Sequence, residues 1–457
     1  MSTNADQKPD GLKGRSIRSA LLTGLSFGSA NLLRLAGNLI LTRLLFPEVF
    51  GIMALVQVVM TGLSMFSDIG VRASIVQNAR GTDTAFLNTA WTLQIARGVL
   101  LWAATWVMAA PVAAFYETPI LAQLLPVAGL AALFQGLNST KLALANRALT
   151  LGRVTVIEIG AAVVNLGMII ALAVAWESVW ALVIGSLTGP FLIMVLSHLV
   201  LPGPTNRLRF DPAAARDLMR FGKYIFLSTL AGFLISQADR AILGKFVSLS
   251  DLALYNIAFL FASIPLLIQR RMNDKVIFPL YSRRPPRESP ENYRNIARAR
   301  FLMIAAAMAL ASVLAVAGNP LIIWLYDPRY EAAGVLVVLI AVATLPNLAI
   351  SPYGAMILAA GDSGRFAAMM ILLAGLRTVI LLVGISQFGV IGAALSPLVA
   401  TLVLYPLVIW FIRPYGGWVP RHDLVFSVIA TGIGTVAIWV NWDTILHAWD
   451  LFATPLR

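Results

Sequence analysis

Cysteine is absent from the chain, which removes disulfides, thiolate metal sites and cysteine nucleophiles. Histidine is nearly absent. The three present, His198, His422 and His447, are far apart and near expected helix ends, so no histidine-held metal and no histidine-based catalysis is expected. Charge is scarce as well: 12% of residues are Asp, Glu, Lys or Arg, against roughly 25% in a soluble domain. There is no Gly-rich phosphate loop and no stretch polar enough for a soluble domain. That leaves no cofactor, no metal, no direct use of ATP and no enzyme chemistry to expect.

What the chain has instead is apolar length. Of 457 residues, 59% are hydrophobic, and apolar runs of about 20 residues recur from end to end. Only helices or a closed barrel satisfy backbone groups in lipid. The runs do not alternate with period two, so the fold class is an all-α polytopic membrane protein. The expected spans are 20–42, 49–73, 84–108, 120–142, 154–175, 178–200, 223–246, 252–272, 299–318, 332–358, 365–385, 389–411 and 423–441. Turn residues punctuate them, as in "LFPEVFG", "FYETP", "AAGDSG" and "RPYGGW".

The formal charge of +13 would suggest nucleic acid on a soluble protein. Here the basic residues cluster in loops on one side, as the positive-inside rule requires. With a cytoplasmic N-terminus, all but eight of the 34 Lys and Arg fall on the cytoplasmic side. Arg43, Lys245, Arg329 and Arg457 fall outside, and Arg34, Arg97, Arg240 and Arg377 fall within the membrane. Segments 206–223 and 281–300 are the richest in basic residues, suited to topology anchoring and to attracting anionic lipid head groups.

A weak repeat divides the chain. "APVAAFYETP" closes the third span and "GNPLIIWLYDP" the ninth, each with two prolines eight apart. "ILTRLLFPEVFG" after the first span is similar to "ILGKFVSLSDLAL" after the seventh. Six spans per copy is an even number, so the copies are parallel, as in transporters that rock two bundles around a midplane site. The expected organisation is a cytoplasmic tail 1–19, an N-lobe six-helix bundle 20–200, a cytoplasmic linker 201–222, a C-lobe six-helix bundle 223–412, and an additional helix with a periplasmic tail at 413–457.

The polar residues within spans fall in stripes. On the first helix Gly24, Gly28, Asn31, Arg34, Asn38 and Thr42 follow helical spacing. An arginine at the bilayer centre costs at least about 2.5 kcal/mol against lipid, so this stripe must face protein or water. The second helix carries Gln57, Thr61, Ser64 and Asp68, and the seventh Ser228, Gly232, Ser236 and Asp239. At about 1.5 Å per residue, Arg34 lies roughly 20 Å, and Arg97 and Arg377 roughly 18 Å, from the cytoplasmic ends of their helices. Asp68 and Glu158 lie within about two turns of that face, where Arg72 and Arg153 are expected to pair with them. Arg240 lies further out beside Asp239. A midplane with arginine and no carboxylate expects an anion. The guanidinium fork binds phosphate oxygens bidentately and does not lose its charge.

Residues 41–77, "LTRLLFPEVFGIMALVQVVMTGLSMFSDIGVRASIVQ", resemble the signature of the polysaccharide transport family of flippases, the Wzx-type and colanic-acid-exporter-like proteins. "FYETP", "NRAL" (146–149), "ADRAILGKFVSLSDLALYNIA" (238–258), "VIFPLYS" (276–282) and "LAAGDSGR" (358–365) follow in order, and the resemblance extends over about residues 20 to 412. It implies the fold of the multidrug/oligosaccharidyl-lipid/polysaccharide superfamily and the flipping of an undecaprenyl-pyrophosphate-linked oligosaccharide across the bacterial inner membrane. By depth, Arg34, Asn31, Asn38, Arg97 and Arg377 are the candidate substrate-binding residues. Asp68, Glu158, Asp239 and Arg240 are the candidates for ion coupling or gating. The expected partners are the lipid-linked substrate, membrane lipids and other polysaccharide assembly proteins such as a polymerase and a chain-length regulator, with no nucleic acid. Two rival readings are a drug or organic-cation antiporter of the related multidrug branch and a membrane polysaccharide polymerase or ligase.

Overall fold

The computed structural model describes residues 28–29, 31–68, 70–222 and 225–452. Gly24 of the first stripe, the tail 1–19, Arg457 and the side chain of Ser228 lie outside them. The described chain is helical throughout, with no strand among the described residues. It divides into two compact units: residues up to Leu45 with Val59–Thr229, and Phe46–Val58 with the chain from Leu230 onward.

The first unit contains α1 (31–44), most of the second half of α2 (Pro47–Phe66), α3 (Val71–Gln77), α4 (Thr84–Phe115), α5 (Leu121–Ala128), α6 (Leu130–Gly136), α7 (Lys141–Arg147), α8 (Gly152–Trp176), α9 (Val179–Leu199) and α10 (Pro212–Gly222). Pro47 opens α2 where its missing N–H costs nothing, and Glu48 meets the positive end of the helix dipole. The expected span 49–73 is cut short: α2 ends at Phe66, and Gly70 turns the chain at φ 66° before α3. Expected span 120–142 is likewise broken, bending by 56° between α6 and α7. Gly98 of α4 and Gly136 of α6 meet backbone to backbone, an approach that a Cβ at either position would block.

The polar segment after α9 is tied down by side chains of α4. Asn88 accepts from the Arg207 N–H at 2.9 Å and Thr89 from that of Asp211 at 2.9 Å. Arg80 bridges Asp83 at 3.0 Å and Asp211 at 3.2 Å. α10 then buries Ala214 and Leu218 against Val71, Ile75, Phe86 and Leu87.

The second unit contains the start of α2 with α11 (Ile225–Phe246), α12 (Leu249–Ala262), α13 (Ile264–Met272), α14 (Phe278–Arg283), α15 (Pro290–Leu325), α16 (Ala333–Ile350), α17 (Gly354–Ala359), α18 (Ser363–Ile412), α19 (Pro420–Val440) and α20 (Trp442–Phe452). α16 is its core: 83% of the apolar window containing it is buried, against 17–44% for the other candidate spans, whose exposed apolar faces suit lipid. α12 and the chain from Ile264 to Arg283 bend by 41° at Ser263, just before Pro265. α18 is two arms: Phe388 and Gly389 leave helical geometry, and Gly392 lies so close to the carbonyl of Gly384 that the chain must double back. α20 is short and amphipathic, burying Ala448 and Phe452 and exposing Trp442, Trp449 and Leu451, a pattern suited to a membrane interface.

Among the described residues, eight helical stretches are long and apolar enough to cross a membrane, and the two bent pairs raise that to ten. Separating the arms of α18 and adding α1 and α11 gives helical segments at the positions of all thirteen expected spans.

Candidate functional site

The motif "FSDIG" builds a turn. Asp68 Oδ1 accepts the Gly70 N–H at 2.9 Å, and Gly70 takes the left-handed conformation that a side chain would strain. Arg147 of "NRAL" donates to the carbonyls of Ile75, Val76 and Asn78 at the end of α3. "NRAL" thus closes on the end of the short helix that follows "FSDIG", two regions distant in sequence. In the second unit, Gly51 of "FPEVFG" lies against the backbone of Leu249 in "SLSDLAL", closer than any Cβ would permit. Asp362 of "AAGDSG" caps α18 by accepting the Arg365 N–H at 2.9 Å, and Tyr415 donates to its other oxygen at 2.7 Å. These two bonds hold the Asp362 carboxyl below its ordinary range.

The cationic residues occupy other positions. In the first unit Arg34 is exposed on α1 and donates through Nη2 to Asn31 Oδ1 at 2.9 Å, so the stripe residues three apart do meet. Asn38 is half-buried one turn further on. Arg97 of α4 donates to Ser67 Oγ at 3.0 Å and to the Ser64 carbonyl at 2.8 Å.

Two expectations are corrected here. Arg97 is not separated by depth from Asp68, since it bonds the end of α2 and is within electrostatic reach of that carboxylate. α4 has 32 residues, about 48 Å, so its first turns overhang the roughly 30 Å hydrocarbon core and counting from Thr84 exaggerates depth. Asp68 does not pair with Arg72 among the described residues. An i,i+4 ion pair needs an unbroken helix, and the chain turns at Gly70 between them. Glu158 is half-buried in the second turn of α8.

In the second unit Arg377, on the first arm of α18, donates through Nη2 to Asn347 Oδ1 of α16 at 3.3 Å. Its Nε is buried without a hydrogen-bond partner. Arg270 of α13 is close enough to Arg377 for their charges to repel, and Asp274 is in reach of Arg270. The expected list contained Arg377 but missed Arg270 and Asn347. Asn347 carried a signal, an amide alone within an apolar helix. Arg270 carried only the "SIP" break that redirects α13. Asp239 accepts from the Tyr255 hydroxyl at 3.0 Å and from the Arg240 N–H at 2.9 Å. The Arg240 guanidinium turns away, 4.3 Å over the Phe259 ring and 3.3 Å from Gln237 Oε1.

A buried network went unanticipated. Arg300 of α15 is 1% exposed and lies 3.8 Å over the ring of Tyr353. Asp423, in the first turn of α19, accepts from the hydroxyls of Tyr353 and Tyr405 and from Trp418 Nε1.

This is the fold of helical membrane transporters. The chain is similar to the lipid II flippase MurJ in an inward closed conformation, with TM-score 0.70 and 12% identity over 95% of this chain and 98% of that one. It is also similar to an inward-facing multidrug resistance MATE family transporter of the MOP superfamily, with TM-score 0.62 and 15% identity over 84% of this chain and 95% of that one. The sequence model of the polysaccharide biosynthesis protein family matches residues 40–334, and the chain belongs to that family. Relatives include the teichuronic acid biosynthesis protein TuaB of Bacillus subtilis strain 168, 23% identical over 64% of this chain and 61% of that protein. Another is the lipopolysaccharide biosynthesis protein WzxC of Escherichia coli strain K12, 20% identical over 60% of this chain and 54% of that protein. The matches thus span little more than half the length of these relatives.

Proposed function

We propose that the chain flips an undecaprenyl-pyrophosphate-linked oligosaccharide from the cytoplasmic to the periplasmic leaflet of a bacterial inner membrane, by alternating access, for exopolysaccharide or O-antigen synthesis. It acts as a transporter and not as an enzyme. The observation that carries this reading is the Arg377–Asn347–Arg270 group. Arg377 has a buried Nε without a hydrogen-bond partner and feels the charge of Arg270, the carboxylate of Asp274 is in reach of Arg270, and the neutral amide bonded to Arg377 adds no negative charge. Such a group is stabilised by an anion with several oxygens, which a pyrophosphate is. Arg34 with Asn31 presents the same pair of side-chain types on an exposed helix face. The family membership and a structural neighbour named as a lipid II flippase support the substrate class. An organic-cation antiporter would want carboxylates in place of Arg377 and Arg34.

In this reading the N-terminus is cytoplasmic, which puts the basic loops on that side. Residues 20–200 and 223–412 act as two six-helix bundles joined by the linker 201–222. Arg34, Asn31, Asn38, Arg97 and Arg377 contact the head group, joined by Arg270 and Asn347. Asp68, Glu158, Asp239 and Arg240 are the groups available for ion coupling or gating. A polymerase and a chain-length regulator act on the delivered product. The test is reconstitution of the full chain in liposomes with a fluorescent polyprenyl-pyrophosphate oligosaccharide, scoring leaflet by a membrane-impermeant quencher. Protein-dependent flipping is expected. Sugar polymerisation, or extrusion of organic cations without flipping, would overturn the reading.

A further inference from the structure

The starts of α15 and α19 frame a pocket of about 610 Å3 that takes no part in the proposed transport path. Its polar lining is cationic: Arg294 and Arg298 from α15 and Arg421 from α19. All three are exposed, and none has a hydrogen bond or ion pair among the described residues. His422 adds an Nδ1 that is buried without a hydrogen-bond partner, its ring edge-on to Phe301 at 5.2 Å. Asp423, next to His422 in the chain, is already committed to Tyr353, Tyr405 and Trp418.

Depth and shape say what such a pocket takes. α15 has 36 residues, about 54 Å of helix against a hydrocarbon core of about 30 Å. Its first turns therefore reach the head-group layer, where Arg294 and Arg298 lie. Toward the bilayer the lining turns apolar at Phe301 and Leu302, and exposed Leu302, Leu424 and Val428 continue that surface along both helices. Cations at head-group level above an open apolar track match one kind of molecule, a phosphate ester carrying acyl chains. We propose that this pocket binds the head group of an anionic phospholipid from the surrounding leaflet, with Arg294, Arg298 and Arg421 around its phosphate and one acyl chain along Leu302 and Leu424.

Full-length protein in neutral detergent is titrated with dioctanoyl phosphatidylglycerol, dioctanoyl phosphatidylcholine and glycerol phosphate, and bound molecules are counted by native mass spectrometry. The wild type is expected to retain one phosphatidylglycerol in preference to phosphatidylcholine. R298Q/R421Q should weaken that site about thirtyfold, since each arginine near a membrane surface adds roughly fivefold. R298K/R421K, which keeps both charges, should retain it. Equal retention of phosphatidylcholine, or unchanged phosphatidylglycerol binding by R298Q/R421Q, would overturn the proposal. Glycerol phosphate binding as tightly as phosphatidylglycerol would also overturn it, in favour of a soluble phosphate. The comparison of the three ligands on wild-type protein decides without any variant having to fold.

Discussion

The Tyr353 hydroxyl lies 2.9 and 2.8 Å from the two carboxylate oxygens of Asp423, and the Arg300 guanidinium lies 3.8 Å over the same tyrosine ring. Tyr353 is 0% and Asp423 5% exposed. The tyrosine therefore joins a buried cation to a buried anion that do not touch. Asp423→Ala removes the acceptor of three donors and leaves Arg300 without its nearby anion, which should cost about 3–5 kcal/mol. Tyr353→Phe keeps the ring under Arg300 and loses only hydroxyl bonds, about 1–3 kcal/mol. Thermal unfolding in detergent measures both. Equal effects from the two variants would mean that charge plays no part in the network.

Arg377 and Arg34 test the cationic sites. Arg377→Ala and Arg34→Ala should each lower the initial flipping rate at least about tenfold with normal membrane insertion, the loss expected for one charge-assisted bond to the substrate. The lysine variants keep the charge but not the fork, and should keep part of the rate. Asn347→Ala should resemble Arg377→Lys, because it frees Arg377 to move without removing its charge. Full transport by the alanine variants would return these arginines to structural roles.

The positions of the spans were legible because the bilayer demands long apolar runs, and the turn at "AAGDSG" because glycine marks reversals. Helical spacing put Asn31 and Arg34 on one face, and their bond needs only that. What failed needed an unbroken helix. Asp68 and Arg72 are four apart, but Gly70 turns the chain between them. Arg270 counted only among the cytoplasmic basic residues, and the bend at Ser263 is what redirects the helix that carries it. Arg300 belongs to a run of arginines suited to topology, and only the return of the chain to Tyr353 and Asp423 reveals that this member is interior. Pairings between distant helices leave no periodic trace in one sequence.

Asp68 discriminates a turn from a proton carrier. Its Oδ1 accepts the Gly70 N–H, a bond that the side-chain oxygen of asparagine also accepts. Asp68→Asn should therefore keep the fold and the flipping rate if the residue serves the turn, while Asp68→Ala should destabilise by about 0.5–1.5 kcal/mol. If Asp68 carries protons, asparagine would abolish the response of flipping to an imposed pH gradient and leave stability unchanged. Comparing both variants with and without the gradient separates the two roles.

Arg80 makes the attachment of the segment after α9 sensitive to acid. The carboxyls of Asp83 and Asp211 lie below their ordinary value, first because each accepts a backbone N–H from its own helix start, and then because each meets Arg80. A depressed carboxyl stabilises the folded form above its unfolded pKa, about 4, and loses that contribution as pH falls through the lower folded value. The attachment should hold from neutral pH down to about 4 and loosen below it. All three side chains are substantially exposed, so the effect is local release of the segment around Asp211 and not global unfolding. Hydrogen exchange of the Arg207, Arg209 and Asp211 amides, corrected for intrinsic rate, should accelerate relative to α4 below that point. Arg80→Gln should show faster exchange already at neutral pH and a weaker acid dependence, because the backbone bonds to Asp83 and Asp211 remain. An acid dependence unchanged in Arg80→Gln would assign the effect to those backbone bonds alone.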